Sequence, residues 1–141
     1  MFDELDKYKS NDHFFFTKNV ELKEVCNAPK NGIGIYLVYA LKEGGIELIY
    51  VGSSGKILHF GEMKIRSGGI GDRIINGKQF GEPRRISWKN KVENENIDAL
   101  DIYWYETFDK NNNDIPSTVE GIIIQQHFNL FGRLPIWNKE I

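Results

Sequence analysis

Short apolar runs separated by glycine-rich turns dominate the first half of the chain. Two β-branched and aromatic runs flank the tetrapeptide Lys42-Glu43-Gly44-Gly45, in which two glycines supply positive φ. Such runs around a glycine turn predict a β-hairpin over about 33–41 and 46–52. Each run contains an interior glycine, Gly34 or Gly52, and a strand glycine often marks the close approach of a ligand to the backbone.

The remaining periodic segments predict one further strand and two clear helices. Residues 100–107 are rich in aromatic and β-branched residues, which is typical of a strand. Residues 14–17 fit either a short strand or an irregular segment whose aromatic side chains fill the core. A short helix is predicted at about 70–76, and a longer one from Pro116-Ser117 to about Leu130, with Gly132 as its C-terminal stop.

The segments between these elements are less regular. Residues 53–72 are rich in glycine and predict a long loop, which in a compact domain is more often functional than structural. Residues 77–97 are polar and basic, with Trp88 as a possible anchor. Three strands and two or three helices predict an α+β fold, a small three-stranded antiparallel sheet flanked by helices, within a single domain over 1–141.

Composition places this chain among ordinary globular proteins. The 141 residues are 40% hydrophobic and 27% charged, and no apolar run approaches the roughly 18 residues that span a membrane. The acidic N-terminus shows no signal-peptide pattern. The single cysteine, Cys26, excludes an intrachain disulfide and a cysteine-cluster metal site, and a buried apolar role suits it. These features predict a cytoplasmic protein that does not contact membranes.

Charge is distributed unevenly along the chain. Residues 64–91 carry eight basic and two acidic residues, a net charge of +6, whereas the rest carries −8. Such asymmetry is what a local phosphate-binding surface produces, although a solvated basic loop would have the same composition. The basic residues are Lys64, Arg66, Arg73, Lys78, Arg84, Arg85, Lys89 and Lys91.

The two hairpin strands carry paired tripeptides, Gly34-Ile35-Tyr36 and Tyr50-Val51-Gly52. Arg73 follows in the short helix, Glu120 in the long helix, and Asn138 near the C-terminus. These elements, in this order, resemble the GIY-YIG nuclease family over about residues 33–138. The resemblance implies the same α+β architecture.

The resemblance also implies an activity, hydrolysis of DNA phosphodiester bonds by an endonuclease that requires Mg²⁺ or Mn²⁺. Relatives act in restriction, repair and the movement of mobile elements. The family's roles fall on Tyr36 as general base or water-positioning group, Tyr50 as the group that orients water or phosphate, and Arg73 as the phosphate clamp. Glu120 would bind the metal, and Asn138 would support the phosphate or the glutamate. Further substrate contacts are expected from Gly34, Gly52, Lys56, His59, Lys78, Arg84, Arg85 and Lys89.

Each of these residues also has a simpler structural interpretation. The tyrosines could pack on a sheet face, and Arg73 could pair with Asp72, which would leave Arg66 as a rival clamp. Ser117-Thr118-Val119-Glu120 has the spacing of a helix capping box. Asn138 could be a turn residue.

The chain departs from the family at one position. Many members carry His or Tyr four residues after the catalytic arginine, where this chain has Gly77. Lys78, His59 or Lys56 could replace that group. The departure favours an alternative function, a catalytically impaired nucleic-acid-binding domain of the same fold. DNA recognition would come from the chain's own loops, from a partner protein or from a dimer.

Strand alternation gives one geometric test of the shared site. Directly opposed residues of an antiparallel hairpin lie on one face and have a constant sum of residue numbers. Tyr36 and Tyr50 share a face only if that sum is even, whereas a two-residue Gly44-Gly45 turn makes it odd. We therefore predict a three- or five-residue loop, such as 42–46, or a β-bulge that restores the parity.

Overall fold

The computed structural model describes residues 2–59, 61, 63–64 and 68–139, and for 56, 57, 63 and 64 the backbone only. Its strands are β1 (Asn11–Phe16), β2 (Gly34–Lys42), β3 (Gly45–Ser54), β4 (Lys56–Ile57), β5 (Met63–Lys64), β6 (Lys78–Gln79), β7 (Glu82–Pro83) and β8 (Ala99–Glu106). Its α-helices are α1 (Leu22–Val25), α2 (Ile70–Asn76), α3 (Arg84–Asn94) and α4 (Pro116–Phe131), preceded by a 3₁₀ turn over Asp3–Lys7. The α+β class is confirmed.

The central sheet has four antiparallel strands in the order β1-β8-β2-β3, so the prediction of three strands is wrong. The additional strand is β1, which contains Phe14 and Phe16 and pairs with β8. Its burial alternates, because Phe14 and Phe16 face the core whereas Phe15 is exposed. Two minor ladders, β4 with β5 and β6 with β7, form separate two-stranded sheets.

Helices cover both faces of the central sheet. On one face, strand residues such as Tyr36 and Ile102 pack with Ile74 of α2 and Trp88 of α3. On the other face, alternate strand residues such as Ile35 pack with Val119, Ile123 and Ile124 of α4 and with the N-terminal Leu5 and Tyr8. The two strand faces differ because successive side chains of a strand point to opposite sides.

A β-bulge in the hairpin between β2 and β3 makes the residue-number sum of opposed pairs even at Tyr36 and Tyr50. Glu43 and Gly44 form a two-residue turn, with φ of 51° and 78°, between the opposed pair Lys42 and Gly45. The register then shifts between Val38 and Tyr39, so the residue-number sum changes from odd to even along the hairpin. The bulge alternative is therefore confirmed, and the longer loop is not needed.

Two helical features differ from the predictions. The segment expected to be irregular contains α3, an 11-residue helix that begins directly after Pro83 and buries Trp88 and Val92. In α4, Pro116 is the first helical residue and Ile115 the N-cap, without a side-chain capping bond. The predicted capping box is therefore wrong, because proline at the first helical position places Ser117 inside the helix. The expected stop at Gly132 is confirmed by its left-handed φ of 70°.

Part of the predicted long loop is extended instead. Strand β3 continues to Ser54, and β4 pairs with β5. His59 lies on an exposed turn between these short strands. Arg66 and the side chain of Lys56 lie outside the described residues. In the described part of the chain, no helix has the length and apolar character needed to cross a bilayer.

Candidate active site

The two motif tyrosines lie on the same face of the sheet. Tyr36 on β2 is fully buried, Tyr50 on β3 is half-buried, and their ring centroids are 6.1 Å apart with the planes tilted by 42°. They are diagonal neighbours, because Tyr36 opposes Gly52 and Tyr50 opposes Val38. The Tyr36 hydroxyl has no hydrogen-bond partner among the described residues. The two phenol rings are therefore neighbours on one face of the sheet, with the Tyr36 hydroxyl buried and the Tyr50 side chain half-buried.

The motif glycines make room for neighbouring protein atoms. A β-carbon at Gly52 would lie 2.4 Å from Cζ and 2.6 Å from the hydroxyl of Tyr36. A β-carbon at Gly34 would lie 1.9 Å from the carbonyl oxygen of Tyr105, on the neighbouring strand β8. Both positions thus need glycine for packing within the sheet. A direct contact of either glycine with substrate stays a prediction.

Arg84 is the central side chain of this region. Predicted to belong to a basic surface, it is instead only 2% exposed, at the first turn of α3. Its guanidinium carbon lies 5.3 Å from the ring centroid of Tyr36, 5.5 Å from that of Tyr50 and 5.3 Å from that of Trp88. Each such cation–π contact contributes about 0.5–2 kcal/mol, and the contribution is largest where water is excluded. The sequence analysis named Arg84 as a substrate contact but did not predict its burial, because arginine is rarely buried.

Hydrogen bonds fix the Arg84 guanidinium in place. Nη1 donates to the carbonyl oxygen of Arg73 (2.8 Å), Nε donates to Oε1 of Gln79 (3.1 Å), and Nη2 lies 3.5 Å from the Tyr50 hydroxyl. The backbone N–H of Arg84 also donates to the carbonyl of Gly77. The C-terminal end of α2 is therefore joined to the start of α3 through one residue.

The contacts of Arg84 also explain why position 77 is a glycine. A β-carbon at this position would lie 2.3 Å from the Arg73 carbonyl oxygen and 3.1 Å from Nη1 of Arg84. The Arg84 guanidinium therefore occupies the space beside Gly77. Whether Lys78, His59 or Lys56 supplies the expected function stays open, and Lys78 is exposed on β6 beside this point.

Arg73 is exposed on α2 and does not pair with its neighbour. The Asp72 carboxylate instead accepts a hydrogen bond from Nδ2 of Asn76 at 2.8 Å. Among the described residues, no ion pair within 4.0 Å includes Arg73. Its positive charge acts to lower the pKa of both Tyr50 and Glu120. Arg73 is thus available to an anion at the site.

Glu120 projects from α4 toward the end of β3. Its Oε1 accepts a hydrogen bond from the Ser53 hydroxyl at 3.3 Å. Burial raises the pKa of Glu120 above its ordinary value, and the Ser53 hydrogen bond and Arg73 only partly oppose that rise. A half-buried carboxylate in this state would be stabilised by a cation.

Burial and the neighbouring Tyr36 raise the pKa of Tyr50 to about 12. Arg84 and Arg73 act in the opposite direction, and Glu120 adds to the rise. Tyr50 is therefore a neutral phenol at physiological pH. In that form it donates a hydrogen bond to water or to a phosphate oxygen, which suits an orienting role better than that of a base.

Asn138 ties the C-terminal segment to the outer edge of the sheet. Its Nδ2 donates to the carbonyl of Val51 (3.0 Å), and its Oδ1 accepts from the Val51 N–H (2.9 Å). Trp137 adds a backbone bond to Ile49, and the Asn138 N–H donates to Pro135. Asn138 therefore caps an edge strand beside Tyr50, and its contact with a phosphate or with Glu120 stays a prediction.

Arg84 and Tyr50, whose side chains are 3.5 Å apart, each line a cleft. One, of about 370 Å³, lies between α2 and α3 and is lined by Asp72, Arg73, Asn76, Gly77, Lys78 and Arg84. The other, of about 250 Å³, is lined by Tyr50, Gln79, Phe80, Trp137, Asn138 and Lys139. Of the predicted catalytic residues, Arg73 lines the first cleft, Tyr50 and Asn138 line the second, and Tyr36 and Glu120 line neither.

The other predicted basic contacts are placed differently. Lys89 forms an ion pair with Glu21 at 2.8 Å, and Lys91 pairs with Glu95 at 3.2 Å while its ammonium group lies over the Phe80 ring. Arg85 and Lys78 are exposed. Of the three residues Arg84, Arg85 and Lys89, expected to act together on the surface, only Arg85 combines exposure with freedom from an ion pair among the described residues.

Comparison of the chain with protein-family models, curated proteins and solved structures gave no match. The resemblance to the GIY-YIG family therefore stays a prediction that rests on the motif residues. In the structure, Tyr36 and Tyr50 are neighbours, and Glu120 binds Ser53, one residue beyond Gly52. The carbonyl of Arg73 accepts a hydrogen bond from Arg84, which contacts both tyrosine rings.

Proposed function

We propose that this chain is a metal-dependent DNA endonuclease that hydrolyses phosphodiester bonds. The observation that carries the proposal is the convergence of two phenols, two arginines and one carboxylate at one end of the β2–β3 hairpin. Phosphodiester hydrolysis needs a placed water molecule and positive charge beside the phosphate. The residues present supply both functions.

The surroundings of each residue indicate which of these functions it would perform. Tyr36, whose buried hydroxyl has no hydrogen-bond partner among the described residues, would position or deprotonate the attacking water. Tyr50, a neutral phenol, would orient that water or the phosphate. Arg73 would neutralise the phosphate from the exposed end of α2, because its planar fork matches phosphate oxygens. Asn138 would keep the tail docked beside the site.

A divalent metal fits the donor set through Glu120. Among residues 2–59, 61, 63–64 and 68–139, no group of three or more His, Cys, Asp or Glu is placed to hold a metal ion. One half-buried carboxylate with water at the other positions suits Mg²⁺, which keeps much of its hydration, and Mn²⁺ takes similar oxygen ligands. The metal would supply charge neutralisation at the phosphate.

The substrate is DNA in this proposal, and the setting is the cytoplasm. Target recognition would come from the chain's own basic residues, from a partner protein or from a second copy. Exposed Arg85 and Lys78 are the described cations best placed to follow a DNA backbone beside the site. Restriction, repair or mobile-element processing would each use such an activity.

Incubation with supercoiled plasmid tests the proposal directly. Nicked or linear DNA should form with Mg²⁺ or Mn²⁺ and not with EDTA. The rival function, a binding domain without turnover, would bind the plasmid with either addition and leave it supercoiled. Gly77 favours that rival, because the group often found there in the family is absent.

A further inference from the structure

Arg84 is a buried cation without a carboxylate partner in the described part of the chain. Its side chain contacts aromatic rings, an amide oxygen, a carbonyl oxygen and a hydroxyl, and no ion pair within 4.0 Å joins it to another described residue. Burying a charge is costly unless an opposite charge accompanies it, so buried charges in proteins are paired or bind an ion. An anion bound beside Arg84 would offset the cost of burying its charge.

The guanidinium retains capacity to bind one. Arginine has five N–H donors in a fixed plane, and three of them point to Arg73, Gln79 and Tyr50. Arg84 lines the cleft of about 370 Å³ together with Arg73 and Lys78. The cleft also holds one carboxylate, Asp72, which accepts a hydrogen bond from Asn76. Three cations against one acid leave the cleft positively charged.

We infer that the cleft between α2 and α3 is an anion-binding site in which Arg84 and Arg73 together bind a phosphate group of the nucleic-acid substrate. The identity of the phosphate rests on the proposed function, whereas the anion site rests on the buried charge alone. Arg84 also contacts both motif tyrosines, so a phosphate bound there is held at a fixed position relative to their hydroxyls.

Binding can be measured without metal and without cleavage. The probes are inorganic phosphate and a short oligothymidylate without terminal phosphates, titrated at constant ionic strength. Trp88 reports the event by its fluorescence, since its ring lies 5.3 Å from the Arg84 guanidinium. Both probes should give a saturable change in the wild-type protein.

Arg84→Gln should weaken phosphate binding by at least about 30-fold, as expected when one partner of a buried charge pair is removed. Arg133→Gln, at an exposed arginine that follows α4 and pairs with Glu47, is the matched control and should change phosphate affinity less than about twofold. Equal affinity in Arg84→Gln and wild type, or no saturable response in wild type, overturns the inference. Binding of inorganic phosphate without binding of the oligothymidylate overturns the assignment to substrate.

A second measurement covers the case in which Arg84→Gln does not fold. In the wild-type protein, the side-chain Nε–H resonance of Arg84, assigned from its loss in Arg84→Lys, should shift as phosphate is added. An unmoved resonance overturns the inference. Glu120→Gln should still bind phosphate, because the anion site does not include Glu120. If the wild-type protein binds phosphate but does not cut DNA, the nuclease proposal is contradicted and the anion-site inference is not. Cleavage by wild type with normal phosphate binding by Arg84→Gln contradicts the Arg84 inference alone.

Discussion

The ring of Tyr36 occupies the space that a side chain at Gly52 would need, with Cζ only 2.4 Å from the position of an added β-carbon. The two residues are directly opposed in the β2–β3 register. One motif glycine therefore allows one motif tyrosine to lie flat across the neighbouring strand. This contact links the paired tripeptides physically.

Gly52→Ala should therefore destabilise the protein and displace the Tyr36 ring. Because the methyl group meets buried ring atoms, the expected loss is about 1–3 kcal/mol of unfolding free energy, the usual cost of overpacking a core. Gly121→Ala is the matched control, since a β-carbon there meets nothing within 4 Å inside α4, and alanine should stabilise the helix by up to about 1 kcal/mol. Denaturant unfolding measures both. A neutral Gly52→Ala would contradict the packing argument.

Glu120→Gln should abolish DNA nicking while the fold is retained. The amide keeps the size of the side chain and accepts the Ser53 hydrogen bond, but it lacks the charge needed for a metal. We expect a loss of at least about 100-fold, the scale of an electrostatic catalytic contribution. Glu93→Gln, an exposed carboxylate on α3, should cut at the wild-type rate. Full activity in Glu120→Gln would disprove the metal assignment, since no carboxylate charge would then be required.

The pH dependence of stability should reveal the buried state of Glu120. Its pKa in the folded protein is raised, so the native state binds this proton more tightly than the unfolded state does. Such a group contributes stability that is full below the unfolded pKa of about 4.3 and is lost as pH rises through the folded pKa. The stability of wild type relative to Glu120→Gln should fall over that window. Mg²⁺ added at neutral pH should raise the melting temperature of wild type more than that of the variant.

Several features of the fold were predictable from local sequence, and others depend on distant contacts. The hairpin and its parity follow from strand alternation, the turn glycines and the positions of Tyr36 and Tyr50. Strand β1 was ambiguous because its partner, β8, lies far along the chain, and no local pattern reveals that pairing. Helix α3 was missed because its inward face includes Arg84, a residue type that patterns assign to the surface.

The candidate site shows the same division. The sequence motif and its order name Tyr36, Tyr50, Arg73 and Glu120 as candidates, and their roles stay predictions. The reason for glycine at position 77 could not be predicted, because the group that fills the space beside it is the guanidinium of Arg84 on the next helix. The spacing of Ser117 and Glu120 suggested a capping box, but the helix begins two residues earlier than that box requires, at Pro116, whose fixed φ suits the first helical position.

Exposed cations beside the site should set the salt dependence of DNA binding. Each phosphate contact releases counterions, so removal of one should reduce the slope of log affinity against log salt by about 0.9 for duplex DNA. We expect this reduction for Lys78→Gln and Arg85→Gln, which are exposed. Lys89→Gln should change the slope little, because its ammonium group is paired with Glu21. Equal slopes in all three variants and wild type would mean that this surface does not contact DNA.

The Asn138 side chain should control how firmly the C-terminal segment covers the edge of β3. Its two hydrogen bonds to Val51 resemble those of a paired strand residue, and each is worth about 1 kcal/mol. Asn138→Ala should therefore accelerate hydrogen exchange at the Val51 amide, which has Asn138 Oδ1 as its acceptor. The Ile102 amide, in a central strand, serves as the internal reference and should not change unless the whole fold is weakened. If activity is also lost while the Tyr36 and Tyr50 environments stay the same by NMR, Asn138 acts on the substrate directly. If those environments change with it, Asn138 acts by keeping the tail in place beside Tyr50.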